Sequence, residues 1–190
     1  MSLTRRESNL FILAVASVCA VAAPLRADVS QCGCDITAAE TMAKRECSLC
    51  NEAEKHPPET AIFLLKDNNP RKPTRWLALP RKHGTGPHAL QQMPREEQVA
   101  LLKAAIEKGR ELFGDEWGIA YNSWRVRTQC HGHVHIGKLL KGLAPGQYVD
   151  VSRVEDIRLP KDDGGFWIHP VGAKLRIHFG EDITETTLLR

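Results

Sequence analysis

The stretch Arg127-Thr128-Gln129-Cys130-His131-Gly132-His133-Val134-His135-Ile136-Gly137 decides how the rest of the chain is read. Histidines at alternate positions, with valine and isoleucine between the last of them, predict a strand over residues 132–136. Side chains alternate across a strand, so His131, His133 and His135 fall on one face and the aliphatic residues on the other. Each imidazole carries a donor and an acceptor and needs partners if buried. The triplet therefore reads as a solvated polar face, a metal-binding stripe or a reactive site. Upstream, residues 94–113 predict one long helix. Pro94 suits its first turn, and Glu96 and Glu97 complement the positive end of its dipole. Val99, Leu102, Ile106 and Phe113 recur at helical spacing, and Gly114 ends the run. Short apolar or alternating runs at 61–65, 76–79, 118–122, 147–151, 165–169 and 174–179 predict strands. A hairpin is expected at Pro170-Val171-Gly172, and Asp67-Asn68-Asn69-Pro70 reads as a turn. Strands, one long helix, then more strands make an α+β class. The expected architecture is a mostly antiparallel sheet with the helix packed on it and a C-terminal β-hairpin extension.

A chain of 190 residues, 42% hydrophobic and 26% charged, fits one globular domain. Arg5, Arg6 and Arg26 outweigh Glu7 by two charges, so the chain beyond residue 27 carries only +1 of the total +3. That balance argues against nucleic acid as a partner, because non-specific binding needs a strong basic field. Residues 1–27 read as a signal peptide or an N-terminal anchor: two arginines, then a small and apolar run over 10–23 too short for a comfortable span. Export to the periplasm or outside the cell follows, and an uncleaved anchor would keep the protein near a membrane. Residues 28–58 form a cysteine-rich cap of helical composition, ended by Pro57-Pro58, and residues 59–190 form the main domain. Cys32, Cys34, Cys47 and Cys50 cluster there, while Cys130 stands apart. In an exported protein the cluster reads as two disulfides, with half of a zinc site as the alternative.

The segment from Asp67 through Pro70, Pro73-Thr74-Arg75 and Leu79-Pro80-Arg81-Lys82 to His83 resembles the first signature of histidine-triad (HIT) nucleotide-binding proteins. Asn122, then Gln129-x-x-x-His133-Val134-His135-Ile136, is similar to that family's second signature. The resemblance covers residues 61–138. Asn122-Ser123, Arg127-Thr128-Gln129 and His133-Val134-His135 also resemble the CDP-diacylglycerol pyrophosphatase branch. Anchoring on Gln129 makes His133 the first triad member and His135 the second; taking His131, His133 and His135 as the triad would make His133 the nucleophile instead. In the preferred register the resemblance implies a HIT-like fold and a hydrolase or nucleotidyl transferase in which His135 attacks the α-phosphorus, with His133 beside it. It implies Asp67 for the ribose hydroxyls, and Asn122, Gln129 and the Cys130 backbone for the phosphates. Arg125 and Arg127 would neutralise developing charge.

The sequence departs from the family at two places: Arg75 stands where histidine is usual, and Gly137 where the third triad histidine belongs. A replacement proton donor is expected from His131 or Lys138. Some members bind zinc through residues that here would be Cys47, Cys50, His83 and His133; no other cofactor is implied. The resemblance further implies a homodimer and a nucleotide or nucleotide-lipid substrate. The missing histidine leaves open a non-catalytic nucleotide-binding module, and the histidine stripe an extracytoplasmic metal-binding protein.

Overall fold

The computed structural model describes residues 29, 32–82, 88–143 and 146–190. The predicted leader lies outside these. Among the described residues no helix is long and apolar enough to cross a membrane.

The chain is α+β. Seven strands, β1 (Ile62–Lys66), β2 (Trp76–Pro80), β3 (Trp117–Tyr121), β4 (Val134–Lys138), β5 (Gln147–Val151), β6 (Gly165–Val171) and β7 (Lys174–Glu181), form one sheet in the order β1-β2-β4-β3-β6-β7-β5. Every pairing is antiparallel. The helices are α1 (Ala39–Met42), α2 (Ser48–Glu54) and the 19-residue α3 (Arg95–Phe113).

Alternation sorts the sheet into two unlike faces. Ile119 and Tyr121 of β3, Val134 and Ile136 of β4, and Ile168 of β6 point at α3 and meet Leu101, Leu102, Ala105 and Ile106 in the main core. The helix ends at Gly114, whose φ of 56° is a backbone that glycine adopts without a Cβ penalty. On the other face, α2 covers β1 and β2 through Leu49 and Ala53 against Phe63, Leu77 and Leu79. The C-terminal segment covers the middle of the sheet, where Leu188 packs on Ala120 and Trp167. Between these two covers the sheet lies open, and His135 sits in the gap.

Three local expectations need correction. The strand carrying the histidines begins at Val134, so His131 and His133 lie in the loop leading into it. Pro170 and Val171 continue β6, with Pro170 paired to Leu175, and the turn falls on Gly172 and Ala173. The helical cap breaks into α1, a 3-10 turn over Arg45–Cys47 and α2. Its folding back brings it against the loop before β4, where the Cys130 N–H donates to the Glu46 carbonyl at 2.8 Å. The disulfides follow from that contact: they are Cys32–Cys130 and Cys34–Cys47, and Cys50 is the buried free thiol. Two of the cluster's cysteines therefore pair with each other, a third bonds to Cys130, and Cys50 is the odd cysteine. Two disulfides suit an oxidising, exported environment.

Candidate functional site

The gap on the second face is a cleft of 680 Å³. It is lined by α2 with Leu49, by the loop running from Asp67 to Lys72, by His133 and His135, and by Glu185 of the C-terminal segment. Backbone pairing fixes His135 rigidly, opposite Leu77 of β2 and Ala120 of β3.

The two imidazoles are neighbours, with ring centroids 4.8 Å apart at 75°, and each residue is 6% exposed. The Nδ1 of His133 lies 2.8 Å from the His131 carbonyl. A carbonyl only accepts, so Nδ1 carries the proton and Nε2 keeps its lone pair. Burial pushes His133 down to about 4, against the opposing hydrogen bond from His131. His135 is lowered well below its ordinary value, by burial first and then by His133, Lys72 and Arg75. Both rings are neutral near pH 7, the state in which an imidazole can be a nucleophile.

These depressions bear on stability. Below about pH 6.5 the unfolded chain takes up protons at histidines that the folded chain keeps neutral, so stability falls as pH falls toward 4. His178, lowered to about 4 by burial and then by His169 and Arg176, adds to the same trend. Roughly 1 kcal/mol per pH unit is expected for each fully buried histidine. The thermal midpoint should already drop between pH 6.5 and 5.5, above the range where carboxylates titrate. A midpoint constant across that interval would show that the histidines are not buried neutral.

No signal in the sequence pointed to Glu185. Its Oε2 lies 3.3 Å from His135 Nε2 and 2.6 Å from Lys72 Nζ. Asn122 holds Glu185 there: its Oδ1 accepts the backbone N–H groups of Thr184 at 2.8 Å and Glu185 at 3.0 Å. Arg75 is 1% exposed and braces the same segment, donating to the carbonyls of Glu185, Leu188 and Leu189 at 3.0, 2.6 and 2.8 Å.

Arg75 also accounts for Gly137. A Cβ at position 137 would come within 2.9 Å of Arg75 Cδ and 3.1 Å of its Nε. Arg75 and Gly137 are thus one feature, because the guanidinium stem occupies the space that a side chain at 137 would enter.

The other anticipated residues divide between the cleft and the framework. Asp67 lines the cleft, with Oδ1 accepting the Asn69 N–H at 2.9 Å in the predicted turn. Asn122 and Gln129 border the cleft, but both side-chain carbonyls are committed to protein. Gln129 ties the cap to the domain, accepting from Ser48 Oγ at 2.8 Å and donating to the Arg45 carbonyl at 3.0 Å. Arg127 also borders the cleft, but it is 2% exposed and its Nη1 donates to the Tyr121 hydroxyl at 2.5 Å, near Asp163. The Tyr121 hydroxyl in turn donates to Asp163. Arg125 pairs with Asp182 at the surface, outside the cleft. Lys138 has the parity of Ile136 and bonds to Glu116 at 2.5 Å. His131 is fully buried with Nε2 at 2.8 Å from the Pro80 carbonyl, away from the cleft lining. Neither Lys138 nor His131 stands where a leaving group could be protonated.

The anticipated zinc set does not fit. Cys47 is bonded to Cys34 and offers no thiolate, and His83 lies outside the described residues. Cys50 is pushed up to about 11, by burial and then by Glu54. Among the described residues the one tight group of potential metal ligands is Cys34, Cys47 and Cys130, whose sulfurs belong to the two disulfides. No protein-family model matches this chain, and no curated protein matches it.

Proposed function

We propose that this protein is a nucleotide phosphohydrolase or nucleotidyl transferase of the histidine-triad kind, working through a covalent histidine intermediate. The observation that carries this reading is the pair of neutral, buried imidazoles, His133 and His135, set in a cleft bordered by Asp67 and Lys72. The antiparallel sheet backed by one long helix is the architecture the HIT resemblance implies, which supports the reading. So does Asp67, whose turn brings a carboxylate to the wall where ribose hydroxyls are expected.

In this scheme the Nε2 lone pair of His135 attacks the α-phosphorus, a P–N bond forms, and the P–O bond to the leaving group breaks. The leaving oxygen keeps the bonding electron pair and takes a proton from solvent, which the water of the second step gives back. Water then attacks phosphorus, the P–N bond breaks, and the imidazole is restored, so the net reaction is hydrolysis. Lys72, at the cleft wall, supplies positive charge for the phosphoryl oxygens. Leu49, Leu65 and Leu77 give the cleft an apolar side suited to a base. Since Arg127 is engaged by the Tyr121 hydroxyl, the string it shares with the CDP-diacylglycerol branch does not identify a leaving group.

The test is incubation of the protein with α-phosphate-labelled nucleotides that differ in leaving group, CDP-diacylglycerol among them. Acid-labile label on protein together with released mononucleotide is the expected result. Tight nucleotide binding with neither label nor release would replace the enzyme by a binding module.

A further inference from the structure

Three nitrogens converge on a single oxygen in the cleft. Oε2 of Glu185 is 2.6 Å from Lys72 Nζ, 3.3 Å from His135 Nε2 and 3.9 Å from Arg75 Nη1. Arg75 Nη1 is buried and has no hydrogen-bond partner, although its neighbours Nε and Nη2 are fully engaged with backbone carbonyls. A buried cationic donor without an acceptor is costly, and the guanidinium cannot shed its proton to escape that cost. One carboxylate oxygen satisfies Lys72 but leaves Nη1 too distant for a bond. A tetrahedral oxyanion, with oxygens diverging in three dimensions and up to twice the charge, could meet Lys72 and Nη1 together.

Glu185 is free to yield this place without unfolding its segment. Its backbone is held by Asn122 and Arg75 independently of its carboxylate, and its side chain is 26% exposed. While it stays, a carboxylate that can only accept faces His135 Nε2, which favours the tautomer with the proton there and not the lone pair that attack requires.

We propose that Glu185 is an internal occupant of an oxyanion subsite formed by Lys72, Arg75 and His135, so that a phosphate group enters only by expelling its carboxylate. The site is self-inhibited in the resting chain, and the class of ligand is a phosphate oxyanion. This rests on the function proposed above for the choice of phosphate, but its test requires no turnover.

Inorganic phosphate is titrated calorimetrically into the full chain and its Glu185→Ala, Glu185→Gln and Lys72→Ala/Glu185→Ala variants. Glu185→Ala should bind phosphate at least about tenfold more tightly than the wild type, which corresponds to 1.4 kcal/mol or more. Glu185→Gln should show a smaller gain, since a neutral amide competes less for Lys72. The gain should vanish when Lys72 is also removed. Equal or weaker binding by both Glu185 variants, a gain that survives Lys72→Ala, or no phosphate binding by any variant would each overturn the proposal. If Glu185→Ala does not fold, the isosteric glutamine decides the matter. A chain that never labels on histidine yet shows this gain loses the hydrolase reading and keeps the subsite. A chain that turns nucleotides over without the gain does the reverse.

Discussion

Replacing His135 by alanine should abolish label on the protein and lower turnover of the best nucleotide by at least about 10³-fold, the scale on which loss of a covalent nucleophile is felt. The cause is specific. His135 is held by β2 on one side and β3 on the other, so its ring has little freedom, and the Cβ of alanine leaves the strand pairing intact. His133→Ala should cost less, about 10- to 100-fold, by removing the imidazole packed against His135, with ring centroids 4.8 Å apart, and so loosening the position of the nucleophile. The two variants also settle the register. The bond from His133 Nδ1 to the His131 carbonyl leaves a lone pair on Nε2, and that is the arrangement a nucleophile needs. Should label persist in His135→Ala and disappear in His133→Ala, the nucleophile is His133, and the triad is His131, His133 and His135. Circular dichroism and thermal melting of each variant separate loss of chemistry from loss of fold.

How far the sequence foretold this site depends on the range of the contacts involved. The long helix and most strands were legible because their signals are local: apolar spacing, a leading proline, a closing glycine. His133, His135 and Asp67 were legible as cleft residues because they sit in short motifs that resemble the HIT signatures. What could not be read was which partner each polar group would meet. Asn122, Gln129 and Arg127 carry residue types that suit phosphates equally well, but they also meet partners 39 to 84 residues away, on Thr184 and Glu185, on the cap, and on His88. Arg127 is diverted still further by Tyr121 and Asp163. Glu185 belongs to a tail with no periodicity of its own, which became part of the site only because Leu188 found the open middle of the sheet. One of the two expected disulfides, Cys34–Cys47, lies within the cap; the other was misplaced for the same reason, since proximity in sequence did not reveal that the loop carrying Cys130 would dock there.

Arg75→Met should be strongly destabilising, by about 3–5 kcal/mol. Methionine fills much of the stem volume but removes every donor, leaving the carbonyls of Glu185, Leu188 and Leu189 without the guanidinium that now binds them. Loosening that segment also releases Leu188 from Ala120 and Trp167, so apolar surface is lost along with the hydrogen bonds. Chemical denaturation measures the total, and a loss below about 1 kcal/mol would mean that the tail is not held through Arg75. A second substitution tests the steric link. Gly137→Ala alone should cost about 1–3 kcal/mol, because the new Cβ meets Arg75 Cδ at 2.9 Å and Leu188 Cβ at 3.3 Å, and the engaged guanidinium cannot move aside cheaply. In the Arg75→Ala background, where stem and bonds are both gone, that cost should shrink by at least about 1 kcal/mol, a coupling a double-mutant cycle resolves. If the two changes are additive instead, glycine at 137 is not explained by Arg75. Coupling of the expected sign would mean that glycine at 137 makes room for Arg75, the cation that holds the C-terminal segment on the sheet.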